Sequence, residues 1–171
     1  MSEDGHVASS RANEPEDERV AEHLQVSVAR TGFERYRVTT ASGAQLEFGR
    51  GEGLVQPAEM LMAALAGCMA VCVDKPLTRG GEPERFAFTV DADKLKDSAG
   101  PVRLDGLDVT FDLALTEWTR RQDPEVFVER LMDAAHERIC AVSRTLEHGA
   151  AVAASAQVEI TGATVEEPGG S

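Results

Sequence analysis

The stretch QPAEMLMAALAGCMAVCVDK, Gln56–Lys75, decides the fold. From Met60 to Val73 it carries no charge, with Glu59 and Asp74 as its borders. Fourteen helical residues reach about 21 Å, short of a hydrocarbon layer of about 30 Å. An apolar run with no polar face therefore reads as a core helix buried on all sides. Pro57 suits the first helical position, where an N–H would be unpaired anyway. Glu59 then falls in the first turn, where a carboxylate favours the positive end of the helix dipole. Ala63, Ala64, Ala66, Gly67 and Ala70 let other elements approach closely. Pro76 and Gly80-Gly81 are expected to end the helix near residue 75.

On the N-terminal side the pattern has period two. Leu24, Val26 and Val28 alternate with polar neighbours, as do Tyr36, Val38 and Thr40, before a turn at Ala41-Ser42-Gly43 and then Leu46 and Phe48. This spacing predicts a three-stranded antiparallel meander over 24–49. On the C-terminal side Phe86, Phe88 and Val90 alternate, Asp97–Pro101 supplies a turn, and Leu107, Val109, Phe111, Leu113 and Leu115 alternate without a break. Asp123-Pro124 starts a second helix, with Asp as cap and Pro at the first position. Cys140 opens a short segment, CAVSRTLEHG, closed by Gly149, and Val152–Ile160 is expected to form a last strand. The order βββ-α-ββ-α-α-β gives an α+β fold with antiparallel sheets around a buried central helix.

Composition narrows the function. With 17 Lys and Arg against 30 Asp and Glu, the net charge is −13. Such a field repels phosphate backbones and anionic lipid, which argues against nucleic-acid and membrane partners. Three cysteines are too few for a secreted disulfide framework, so a reducing cytoplasm is expected. Residues 1–22 hold seven acidic and two basic side chains and almost no large apolar ones. They read as a disordered tail, followed by a domain over 23–162 and a second tail over 163–171.

Several chemistries are excluded by pattern. Gly49-Arg50-Gly51-Glu52-Gly53 lacks the Lys-Ser/Thr of a phosphate loop, and no serine sits in a nucleophile elbow. His6 and His23 belong to the N-terminal tail and its edge. The cysteines carry more. Cys68 and Cys72 lie one turn apart on the central helix, and Cys140 lies close to His136. Buried cysteine is often only a small hydrophobe, which suits Cys72 between Val71 and Val73. Cys68 follows Gly67, which leaves space beside the thiol. The pairs Cys68-x3-Cys72 and His136-x3-Cys140 could also form a closed zinc site.

The run Gln56–Ala70 resembles the pro-x-glu-x-leu…ala-x-x-x-cys helix of the OsmC/organic-hydroperoxide-resistance family. His136–Ser143 resembles that family's second cysteine block, with Ala141 where proline is common. The resemblance covers residues 24–160. It implies a thiol-dependent peroxidase working without a cofactor, as an intertwined homodimer with its sites at the subunit interface. It makes Cys68 the peroxidatic cysteine, Cys140 the resolving one, and Glu59 the carboxylate that orients an arginine on an early strand or loop. Arg30 is the first choice for that arginine, with Arg35 and Arg37 also in the region. The implied partners are a small peroxide and an external dithiol reductant. The chemistry agrees: a thiolate attacks the peroxide bond, and the sulfenic acid condenses with a second thiol. Cys72 is a poor partner for Cys68, because Cα–Cβ bonds at i and i+4 run side by side rather than converge. A non-catalytic ligand- or partner-binding protein of the same fold is the alternative.

Overall fold

A computed structural model describes residues 22–100 and 102–158. The chain divides into two compact units, one ending at Gln56 and one beginning at Pro57.

The first unit is the expected meander, with β1 Val26–Gly32, β2 Arg35–Thr40 and β3 Gln45–Gly49 in that spatial order. The period-two pattern sets the register. Val38 pairs with Val28 on one side and Leu46 on the other, and Tyr36 stacks on Phe48 with ring centroids 5.5 Å apart. Glu34 turns the chain between β1 and β2 with φ 52°. Its carbonyl accepts from the Arg50 N–H at 3.0 Å, and a Cβ on Gly49 would collide with that oxygen. Only glycine fits there.

The second unit opens with α1, Pro57–Thr78, followed by the hairpin of β4 Pro83–Lys96 and β5 Val102–Leu115. Asp97–Gly100 makes the turn, its Gly100 N–H donating to the Asp97 carbonyl at 2.9 Å. Phe86, Phe88 and Val90 pair with Leu113, Phe111 and Val109, so the two alternating runs share one face. Phe88 stacks on Phe111 at 4.4 Å. That face packs against α1, where Leu65, Met69 and Val73 join Ala135 and Cys140 in the core.

Then come α2, Pro124–Ala134, a π-helical segment Ala135–Ile139, and α3, Ala141–His148. Asp123 caps α2 as its sequence suggests, accepting from the N–H groups of Glu125 and Val126 at 2.9 and 3.2 Å.

Three expectations are corrected. First, α1 continues through Pro76 to Thr78. Proline removes one backbone donor, the bond to the Cys72 carbonyl, but other groups hold the last turn. The Thr78 hydroxyl donates to the Asp74 carbonyl at 3.0 Å, the Gly80 N–H to Leu77 at 2.8 Å, and the Arg120 guanidinium to the Pro76 carbonyl at 2.6 Å. At 22 residues α1 is long and apolar enough to cross a membrane by length and composition alone. One face of it packs against the hairpin.

Second, α1 is not covered on every side by the described residues. Leu65, Met69, Val73 and Leu77, spaced four apart, form one buried stripe, while Val71 is 79% exposed. One sheet face and two short helices cover one stripe of a helix and no more. Third, residues 151–158 form no strand. Val152 and Val158 are 92% and 84% exposed, since no described strand edge pairs with this segment. Residues 159–160 of the expected strand, and the tails expected over 1–22 and 163–171, lie outside the described residues apart from Glu22.

Candidate active site

Two neighbouring features build the site. Cys68 projects from the middle of α1, and the break between the π segment and α3 carries Cys140. Cys140 is wholly buried and leaves helical geometry at φ −72° and ψ 106°, serving as the N-cap of α3. Its sulfur accepts from the Ser143 N–H at 3.3 Å, as a capping oxygen would. The first amides of α3 have no partners inside the helix, and that of Ser143 points at the Cys140 sulfur.

The backbone of Ala141 and Val142 favours the Cys68 thiolate, and that of Ser143 and Val142 favours the Cys140 thiolate. The neighbouring Cys140 and Cys72 thiols favour the Cys68 thiolate as well. Burial pushes the Cys68 thiol up, but these groups together outweigh it and hold Cys68 below the ordinary thiol range. Cys140 moves the other way, raised by burial and by giving its proton to the bond with Cys68. Cys72 is raised by burial, by the charge of Cys68 and by its own bond to it. The three thiols therefore divide into one that is made more acidic and two that are made less so.

Glu59 stands apart from them. It lies nine residues from Cys68 on the same helix, about 13 Å along the axis and on the opposite face. There it borders an apolar cleft with Met62, Ala63, Phe88 and Val90. Arg30, Arg35 and Arg37 all belong to the meander. Arg30 pairs in register with Tyr36, Arg35 with Gly49, and Arg37 donates to Glu47 at 2.7 Å.

The zinc alternative does not assemble. Among the described residues no group of three or more His, Cys, Asp or Glu side chains could hold a metal ion. His136 is turned to other partners, its Nδ1 lying 3.0 Å from the Ser143 hydroxyl and its Nε2 3.0 Å from Glu147 Oε1. These contacts were not foreseen. Ser143 and Glu147 are four apart on one helix face, but His136 reaches them only because of the π turn, which leaves no mark in the sequence.

Residues 49–155 match the family of OsmC-like proteins. The chain belongs to that family. Uncharacterized proteins of Mycobacterium tuberculosis and Mycobacterium bovis are 31% identical over 131 residues, covering 75% of this chain and 92% of theirs. Among solved structures, an OsmC-like protein of unknown function from Vibrio cholerae superposes with a TM-score of 0.61 at 13% identity, covering 74% of this chain and 95% of its own. A hypothetical protein from Aquifex aeolicus does so with a TM-score of 0.60 at 15% identity, covering 75% and 89%. The OsmC-like family accounts for the mixed α+β architecture and its antiparallel sheets.

Proposed function

We propose that this OsmC-like protein is a thiol-dependent peroxidase that reduces hydrogen peroxide or organic hydroperoxides through Cys68 and Cys140. The observation that carries the reading is the meeting of these two thiols at the α3 N-terminus, with Cys68 made more acidic and Cys140 less so. The Cys68 thiolate attacks the near peroxide oxygen. The O–O bond breaks, a sulfenic acid forms, and the departing alkoxide or hydroxide takes a proton. The Cys140 thiol then displaces the sulfenic hydroxyl: its S–H bond and the Cys68 S–OH bond break, the disulfide forms, and water leaves. An external dithiol returns both cysteines to thiols by exchange.

Two further parts rest on family membership. Arg30 is proposed as the cation beside the reacting sulfur, with Arg35 and Arg37 as the other choices and Glu59 as its orienting carboxylate. The working unit is a homodimer in the cytoplasm. Exposed Val26 and Val28 on β1, Leu24 just before it, and Val71 on the central helix offer apolar surface for a second copy to cover.

Peroxide consumption in the presence of a dithiol tests the reading. Turnover that stops on Cys68→Ser supports it, and no consumption by the wild-type protein defeats it in favour of a non-catalytic binding role.

A further inference from the structure

The π segment and α3 are tied together by a three-residue array. His136 Nδ1 meets the Ser143 hydroxyl at 3.0 Å, and His136 Nε2 meets Glu147 Oε1 at 3.0 Å. Arg144 in turn holds Glu147 Oε2 at 3.5 Å and His148 at 3.0 Å. With Glu147 accepting from Nε2–H, Nδ1 is left as an acceptor for the Ser143 hydroxyl proton. The array thus holds the His136 ring against the Ser143 hydroxyl on one side and Glu147 on the other. Ser143 itself is buried.

The array lies directly behind the resolving cysteine. The main-chain N–H of the same Ser143 holds the Cys140 sulfur, and the Cys140 N–H closes the π turn on the Ala135 carbonyl at 2.8 Å. Cys140 is therefore the single extended residue between two segments, and the array is the side-chain tie across it. Its inner wall is apolar: Leu65 and Met69 of α1 and Leu107 and Val109 of β5 border a cavity of about 180 Å³ beside His136, Ser143 and Glu147. Neither α1 nor β5 brings a charge to that cavity.

We propose that Ser143, His136 and Glu147 are positioning residues for disulfide closure: they hold Cys140 aimed at Cys68 and act on the second chemical step rather than on attack at the peroxide. This rests on the peroxidase reading above. The side-chain tie joins Ser143, whose N–H serves Cys140, so its loss falls on the Cys140 step. Cys68 is favoured as a thiolate by the Ala141 and Val142 backbone and by Cys72, none of which the array bonds. The cavity gives a second handle, because a methyl added at Ser143 has space to occupy.

The test is a single-turnover experiment on the full-length reduced protein with one equivalent of hydrogen peroxide. Dimedone trapping reports Cys68 sulfenic acid, and quenched peptide mapping reports the Cys68–Cys140 disulfide. Ser143→Ala and His136→Ala are expected to leave sulfenic acid formation within about threefold of wild type and to slow closure about tenfold, the kinetic equivalent of one hydrogen bond. The double variant should be no slower than either single one, since the two residues act as one unit. Ser143→Thr, which keeps the hydroxyl, should restore closure. His136 is half-exposed, so its variant folds even if Ser143→Ala does not. Closure at the wild-type rate in His136→Ala, or additive slowing in the double variant, overturns the proposal alone. Wild-type protein that forms sulfenic acid at Cys68 but no bond to Cys140 overturns both this proposal and the two-cysteine cycle.

Discussion

Cys68 and Cys140 meet at the first turn of α3: the Cys140 sulfur accepts from the Ser143 N–H at 3.3 Å, and Cys68 packs against the core cluster that holds Cys140. One sulfur comes from the long central helix and the other from the cap of a short one. Their separation in sequence is 72 residues, yet the start of α3 lies beside both. Whichever sulfur carries negative charge is met by the same helix end, so charge passing from one to the other on forming or breaking a disulfide stays next to its donors.

Mild oxidation should therefore join Cys68 to Cys140 and leave Cys72 as a free thiol. Cys68→Ser should abolish peroxide turnover, Cys140→Ser should consume one equivalent and then overoxidise, and Cys72→Ser should remain active. Peptide mapping by mass spectrometry after one equivalent of peroxide checks this. A dominant Cys68–Cys72 bridge contradicts it.

Alkylation should rank the thiols. Cys68, held below the ordinary thiol range, should be modified first by iodoacetamide at about pH 7, ahead of Cys72 and Cys140. The stability effects have opposite signs. Cys72 and Cys140 stay neutral in the folded chain while unfolded thiols ionise, so they lower stability as pH rises above about 8.5. Cys68 ionises more readily folded than unfolded, so its contribution is present above that value and is lost as pH falls through its folded pKa. Denaturant titrations of Cys68→Ser and Cys72→Ser across pH 6 to about 10 should show the two slopes changing in opposite directions.

Gly80→Ala should destabilise the fold. A Cβ there would lie 2.5 Å from the Trp118 ring and 2.8 Å from Arg120 Nε. The Trp118 indole is fixed by its bond to the Gln122 carbonyl at 2.7 Å, and the Arg120 guanidinium lies over Phe127 at 4.5 Å, so neither gives way freely. The expected loss is about 1–3 kcal/mol in urea unfolding, as for other overpacked sites.

The protein should be a dimer in solution. Light scattering at micromolar concentration is expected to give twice the 18.3 kDa chain mass, and Val71→Glu on the exposed face of α1 should shift it towards the monomer. A monomer at that concentration would leave the apolar faces of β1 and α1 unexplained.

The sheets were legible because alternation is a local signal: Phe86, Phe88 and Val90 against Leu113, Phe111 and Val109 could be read one strand at a time. Asp123-Pro124 was legible for the same reason, a cap and its first residue being neighbours. Pro76 misled, because its cost to the helix is met by Arg120, 44 residues away. Val152–Val158 misled because alternation describes a strand's faces and says nothing of whether an edge is there to receive it. In the site, the two cysteines stood out by residue type and resemblance. Ser143 and Glu147 did not, since on their own they are ordinary helix residues, and His136 reaches them through a turn of five rather than four residues.

That turn has a consequence for which changes the chain can accept. Glu137, Arg138 and Ile139 all face solvent, so their identities are open to exchange. Their number is not. Removing one residue would shorten the turn, rotate everything after it by about 100°, and swing Cys140 and the α3 amides together away from Cys68. Those three positions work as a gauge block: their letters can be rewritten, provided the letter count stays the same.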